Sequence, residues 1–504
     1  MPSAELKFTG RINRRIPRSE GDFNDPVLRE NWLSRDGRLR KPIGHESVIT
    51  GLTDIPRWSG RYSSVGSIQI HPKTFVYTED GKIHVLDDVA GTSTIVKENL
   101  NTDAYPNHVL FKNADVSTMY LVDGKNLFAY DGNGSNVWNI INVDDADGNS
   151  IEPIDVIEHK DRLVLISNTN LYISKNLFPE VFDDANDSLN IIVGSGRGKN
   201  LALRKIEDRL YILNTEGVFI LEGDVISALA ITFEVSLIEE RNIVAGRTAI
   251  RVEKAIVFLA DDYELWSFDG SRSQMLSYEL KLSDFVSKEI PNLEKAVAVY
   301  HDNYYKMSFV EVAGTQPNLE VWWDAFENKI DIVRGRHVSC YMKTDPTVED
   351  EYIEMGQSDS NVIVRDNRGY DFNGTAIITK LRTRDITPTK GFNVRFTAFY
   401  FSFEPTGNRD IVIRYLLDGR LSNPSGSDAV WTENLRGEVV TLGMISITNQ
   451  AQATGRVRPK IKYSRGESIA FEITENTQDM KADFIGMRIE YLAKYSSKGV
   501  LIGA

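Results

Sequence analysis

Seven histidines stand at positions 45, 71, 84, 108, 159, 301 and 337. They are scattered singly, without the spacing that zinc ligands need, and no H-E-x-x-H run occurs. The one cysteine, Cys340, allows no intramolecular disulfide and no cysteine-based zinc site, and is most simply a small buried residue. The run GSGRGKN (194–200) is rich in glycine but is not a phosphate loop: it lies between strand-like segments, and no helix follows it. NVDDADGNSIE (142–152) has the clustered carboxylates and Gly148 of a calcium loop but not the full ligand frame, and it reads as an acidic turn between strands. These residues point to no catalysis, no metal and no cofactor.

The residues that do suggest binding are basic. Arg11, Arg14, Arg15 and Arg18 cluster near the start of the chain, and Arg38, Arg40 and Lys41 follow. Such a cluster suits phosphates or an acidic protein face. The protein face is favoured, because the cluster is short, lacks interleaved aromatics and adjoins an acidic body. Residues 1–62 carry a net charge of +4, residues 63–375 carry −23 and residues 376–504 carry +5, within a total of −14 over 504 residues. An acidic body between two mildly basic ends keeps a protein soluble and argues against general nucleic-acid coating.

Most of the chain reads as strand: apolar and polar residues alternate in short runs punctuated by Asn, Asp and Gly. The best helical candidate, residues 282–296, is interrupted by Pro291. One hairpin unit recurs, starting at Thr74, Thr118, Arg162, Arg209, Ala255, Tyr305 and Tyr352, at spacings of 44, 44, 47, 46, 50 and 47. This period suits the four-stranded blade of a β-propeller, with six to eight blades over residues 61–375. A long meandering sandwich is the competing arrangement. Asp80-Gly81, Asp123-Gly124, Asn170 and Glu216-Gly217 supply the tight turns inside the hairpins, and Asp131-Gly132, Gly223-Asp224 and Asp269-Gly270 close the outgoing strands. Tyr130, Phe219, Trp266 and Trp322, in the second strand of the unit, are read as inter-blade packing.

The period stops near residue 375. Five or six strand-like runs then follow in residues 376–504, including 391–405, 411–419, 438–447, 458–473 and 484–494, and predict a compact β-sandwich-like module. Residues 421–429 read as a loop by composition. Residues 1–60 read as an extended basic arm that docks on the propeller or on a neighbouring subunit, or else completes the last blade and closes the ring. The expected fold is thus all-β: an arm (1–60), a propeller (61–375) and a sandwich-like module (376–504). No apolar run reaches the roughly 18 residues of a membrane span, and no secretory leader is evident, so a soluble protein made in a reducing compartment is expected.

Two stretches carry a resemblance. One is GDFNDPVLRENWLSRDGRLRKPIGHESVITGL (21–52), with Trp32, the Asp36-Gly37 turn and Arg40-Lys41-Pro42 before a glycine. The other is RPKIKYSRGESIAFEITENTQDMKADFIGMRIEYLAKY (458–495), with Arg465-Gly466-Glu467-Ser468 between strands. Framing a propeller-like middle, they resemble the tail nozzle and packaged-DNA-stabilisation proteins of tailed bacteriophages. The arm is short for that pattern, and a Lys-Pro-Ile stands where a more basic run would be expected. The resemblance implies a non-enzymatic virion protein of the phage tail, made in the host bacterial cytoplasm. It implies a homohexameric ring that extends the portal–adaptor channel and meets tail-fibre or tail-tip proteins. Double-stranded DNA would pass through it without sequence-specific binding. The alternative is a receptor-binding or polysaccharide-degrading propeller of a phage tail. The S-x-D-x-G-x-x-W box of sialidase-like propellers is not found in this sequence, although its 72 acidic residues leave a carboxylate pair open.

Overall fold

The computed structural model describes the chain except residues 1–2, 16–21, 23, 64–71, 88, 104, 114–115, 133–135, 185–186, 224, 228–229, 232, 345–350, 389–393, 404–408, 418–419, 422–429, 436–452, 458–464, 476–482 and 494–504. Seven four-stranded antiparallel units follow one another within the described residues: 56–97, 107–141, 155–192, 200–239, 250–275, 297–334, and 338–366 completed by His45–Ile49. These are blades 1 to 7 of a β-propeller. Each recurrent hairpin of the sequence forms the second and third strands of one blade, as Val116–Val122 and Leu127–Tyr130 do in blade 2.

Blades stack because their middle strands are apolar on both faces. In Val116–Val122, Met119 and Leu121 join Trp58, Phe75 and Tyr77 of blade 1. Tyr120 and Val122, pointing the other way, join Leu163 and Leu165 of blade 3. All five residues of Arg162–Ile166 are buried. The period-two alternation of a strand thus serves two neighbours at once. Of the singled-out aromatics, Tyr130 meets Tyr62 and Phe75 of blade 1 at 4.9 Å, and Phe219 packs with residues of blade 3. Tyrosine hydroxyls add inter-blade hydrogen bonds, from Tyr62 to the Ser117 carbonyl (2.8 Å) and from Tyr305 to the Thr248 carbonyl (2.7 Å). Tyr305→Phe should therefore lower the unfolding free energy by about 1 kcal/mol, read from the urea midpoint at constant m.

The ring is closed by the beginning of the chain. His45–Ile49 pairs antiparallel with Ile363–Asp366 as the outermost strand of blade 7. Ile49, fully buried, packs with Leu52 and Ile363 against Val76 and Leu86 of blade 1. A charge cluster is buried at the junction of blades 6 and 7. Arg336 meets Asp366 at 2.7 Å and Glu320 at 3.4 Å, Lys306 meets Asp366 at 2.6 Å, and the Tyr341 hydroxyl donates to Glu320 at 2.7 Å.

The first strands of the chain belong to the C-terminal body, whereas Ile12 packs in the core of blades 5 and 6. Ser3–Leu6, Leu33–Arg35 and Arg38–Arg40 lie in one sheet with Asp483–Ala493, Val394–Phe403 and Ala453–Val457. The facing sheet holds Leu28–Glu30, Thr379–Arg382, Ile469–Glu475 and Arg409–Leu417, and Glu30 pairs parallel with Ile332 of blade 6. That sheet is continuous with blade 6. Trp32, Leu39, Phe399, Phe471 and Phe484 fill the space between the two sheets. The described strands of residues 1–60 are thus divided between the two bodies. The helical candidate 282–296 is a 3-10 turn at Leu282–Asp284 and a five-residue helix, Ile290–Glu294, with Pro291 in its first turn. The expected strand 438–447 and most of the loop 421–429 lie outside the described residues.

Candidate functional site: the axial cavity

In each blade the connection from the preceding blade and the turn between the second and third strands fall at the same end of the propeller, because strands alternate in direction. At that end the start of every innermost strand surrounds a cavity of about 410 Å³. All seven blades or their connections line it, from Trp58 and Ser59 of blade 1 to Cys340 and Tyr341 of blade 7. Ser59, His108 and Tyr341 also line a second cavity of about 390 Å³, and so form a neck between the two. The first volume is that of an ordinary small-ligand site.

Three cations line the cavity: Arg204 is ion-paired, while Arg247 and the exposed Lys199 have no ion pair among the described residues. Asp155 accepts from the backbone N–H of Leu203 (2.7 Å) and Val156 (2.8 Å) and pairs with Arg204 at 3.1 Å. Asn107 also donates to Asp155, and Arg204 donates to the Leu203 carbonyl at 2.6 Å. Arg247 sits in the turn Gly246–Thr248, ahead of blade 5. Its Nη2 donates to the carbonyls of Arg57 and Ser339, both at 2.9 Å. Its Nη1 is buried and has no hydrogen-bond partner among the described residues. Burial pulls its pKa down, and the guanidinium lies 4.9 Å from the Tyr105 ring centre. Arg57 approaches the same ring at 5.0 Å but is paired with Glu79 at 2.5 Å.

Of the other lining groups, Cys340 and His108 are neutral near neutral pH. Burial pushes the Cys340 thiol up, so it is protonated near neutral pH, with its sulfur 3.7 Å from the Ser59 hydroxyl. Burial pushes His108 down to about 4, and its Nδ1 accepts from Trp58 Nε1–H at 3.1 Å. Away from the cavity, burial likewise holds His159 at about 4 and His45 at about 3. An imidazole with a depressed folded pKa binds fewer protons folded than unfolded, so stability falls as pH drops from about 6.5 towards those values. The slope is about 1.4 kcal/mol per pH unit for each such histidine. Thermal melts at pH 7, 6, 5 and 4.5 should fall progressively, and His159→Gln should flatten the fall.

The basic residues read from the sequence lie elsewhere, and the described ones are engaged within the chain. Arg11 faces Glu279 at 3.8 Å. Arg14 faces Asp284 at 3.6 Å and the Phe285 ring at 4.6 Å. Arg15 faces Glu264 at 3.6 Å and donates to the Tyr278 carbonyl. Arg40 pairs with Asp36 at 3.3 Å, and Lys41 forms a fully buried pair with Glu475 at 3.2 Å. Arg38 is half-buried in its strand, and Arg18 lies outside the described residues. The acids that meet Arg11, Arg14 and Arg15 thus belong to the same chain: Glu279 and Asp284 to the connection between blades 5 and 6, and Glu264 to the hairpin of blade 5.

The loop 194–200 leads into blade 4, with Ser195 N–H donating to Glu216 at 3.0 Å. In the acidic turn, Asp145 accepts from the N–H of Asp147 (3.0 Å) and Asn149 (2.9 Å), so its own backbone occupies that carboxylate. Sequence reasoning did not reach Arg247, Arg204, Asp155 or Tyr105. Their positions ahead of or at the start of innermost strands differ in residue type from blade to blade. The only local signal is an arginine inside the otherwise uncharged run IVAGRTAI (243–250).

No family model and no curated protein match this chain. Among solved structures it is similar to the computationally designed Ika8 protein, at 12% identity and a TM-score of 0.37, over 64% of this chain and 99% of that one. It is similar to the β-propeller domain of Cps50 (Swd1) from Myceliophteria thermophila, at 8% identity and a TM-score of 0.39, over 64% and 98%. It is also similar to YCF48 bound to D1 peptide, at 11% and 0.39, over 64% and 96%. At these TM-scores the likenesses carry no argument, and the propeller is established by its own strand pairing.

Proposed function

We propose that the protein is a structural ring component of a bacteriophage tail: a nozzle or stopper that prolongs the portal–adaptor channel, retains packaged DNA and conducts it on ejection. The observation that carries this reading is the charge of the propeller body, −23 over residues 63–375. A wall of that sign makes no counterion-releasing contacts with a duplex, so DNA slides past it. Supporting it is the joint between the two bodies. One sheet runs from blade 6 through Leu28–Glu30 into the sandwich, which suits a subunit that must hold its shape under the pressure of a packed genome. On this reading the chain works as a homohexamer in the virion and performs no catalysis.

Native mass spectrometry of the full chain, alone and with portal–adaptor rings, tests the assembly. Hexamers, or hexamers formed on the adaptor, support it. A monomer that ignores the adaptor and trims host-surface polysaccharide would establish the degrading-propeller reading instead. A second test concerns the charge. The wild-type protein should fail to shift a duplex in a gel even at low ionic strength, and neutralising acids found to line the channel should slow DNA release. Unchanged release kinetics would remove the electrostatic part of the proposal.

A further inference from the structure

We infer that the axial cavity is a binding site for a single carboxylate, received by Arg247 from the end of the propeller where the blade connections meet. It holds whether or not the chain builds a ring.

Buried polar groups in folded proteins are nearly always hydrogen-bonded, and a buried cation without a counter-ion is costly. Arg247, half-buried at the wall of an open cavity, has its Nη1 buried without a partner and no counter-ion among the described residues. Its Nη2 is fixed by two backbone carbonyls from different blades, those of Arg57 in blade 1 and Ser339 in blade 7. The guanidinium is thus held in place with its remaining donors unspent. Its neighbours differ: Arg204 is paired with Asp155 and Arg57 with Glu79. The Tyr105 ring, flanked by both guanidinium groups, fixes the cavity wall beside the free donor.

The same lining sets the charge of the ligand. Besides Arg247, the exposed Lys199 is the other cavity cation without an ion pair among the described residues, while Asp103, Asp123 and Glu294 line the same space. A monoanion is neutralised by Arg247 and steered by Lys199. A phosphate dianion would face those acids with its second charge uncompensated. Guanidinium and carboxylate also match in geometry. A small free acid and a glutamate side chain on a peptide both carry this group, and the cavity volume admits either.

The test is isothermal titration calorimetry of the full chain with four probes: acetate, a Gly-Glu-Gly peptide blocked at both termini, its Gln counterpart and inorganic phosphate. The expected result is saturable binding of acetate, the Glu peptide or both, with the Gln peptide silent and phosphate weaker. Binding of acetate alone assigns a small free acid, and a stronger response to the Glu peptide assigns a protein side chain. Arg247→Met should weaken binding by about tenfold or more, as expected for loss of a charge-assisted pair. Lys199→Glu, an exposed change that leaves packing untouched, should weaken it about two- to fivefold through steering. This second variant keeps the test decisive if Arg247→Met fails to fold. Silence towards all four probes at millimolar concentration overturns the assignment. So does phosphate binding as tightly as carboxylate, or unchanged affinity in the variants.

Discussion

A chain that starts after residue 50 should not form a closed propeller. It should show no cooperative urea transition in circular dichroism and should accumulate in the insoluble fraction. The expectation follows from what that segment covers. His45–Ile49 supplies the outermost strand of blade 7, so its loss leaves Ile363–Asp366 as a raw sheet edge. It strips Ile49 from the seam between blades 7 and 1, where it packs with Val76 and Leu86. It also removes Leu6, Phe8, Trp32 and Leu39 from the sandwich core and Leu28–Glu30 from the sheet that joins both bodies. Burying four such side chains is worth roughly 1.5–3 kcal/mol each, which together rivals the whole stability of a domain. A peptide of residues 1–55 added in trans should restore part of the transition. A truncated chain that unfolds cooperatively at the wild-type midpoint would show that closure does not depend on this segment.

The second large effect lies in the buried charge cluster. Asp366→Asn should lower stability by about 3–5 kcal/mol, because breaking a buried ion pair strands its partners. Here the partners are Lys306 at 2.6 Å and Arg336 at 2.7 Å, both buried, leaving Glu320 as the one nearby carboxylate for two cations. The depressed pKa of Asp366, held below the usual carboxylate range by Arg336 and Lys306 against its burial, marks the same dependence. Lys306→Met alone should also destabilise. The double variant Lys306→Met/Asp366→Asn should cost less than the sum of the two, since Arg336 keeps Glu320. Additive losses in urea unfolding would mean that the cluster does not act as a unit.

The hairpin repeat was readable because each blade must present apolar residues on both faces of its middle strands, and its turns need positive backbone φ. Gly81 and Gly124 adopt φ of 72° and 81° inside the hairpins placed from the sequence. The innermost and outermost strands were harder to read. The outermost strand Leu189–Ile192 is only four residues long and half exposed, too short for its alternation to stand out in the sequence. Residues 1–60 show why local reading stops short. Leu28–Glu30 and Arg38–Arg40 are three-residue strands with partners some 300 to 450 residues away in the sequence. A cluster such as Arg11, Arg14 and Arg15 displays charge but not the Glu279, Asp284 and Glu264 that meet it. The axial cavity was invisible for the same reason: Arg247 becomes notable only when its Nη1 is seen to lack an acceptor, and that is a property of seven blades meeting.

Electron cryomicroscopy of the purified full chain, alone and mixed with portal–adaptor rings, tests the proposed role most directly. The account predicts closed sixfold rings with a central hole wide enough for a duplex, or an added ring seated on the adaptor, with acidic propeller surface facing the lumen. Discrete monomers that leave the adaptor bare, or a ring whose lumen is lined by basic residues, would contradict it.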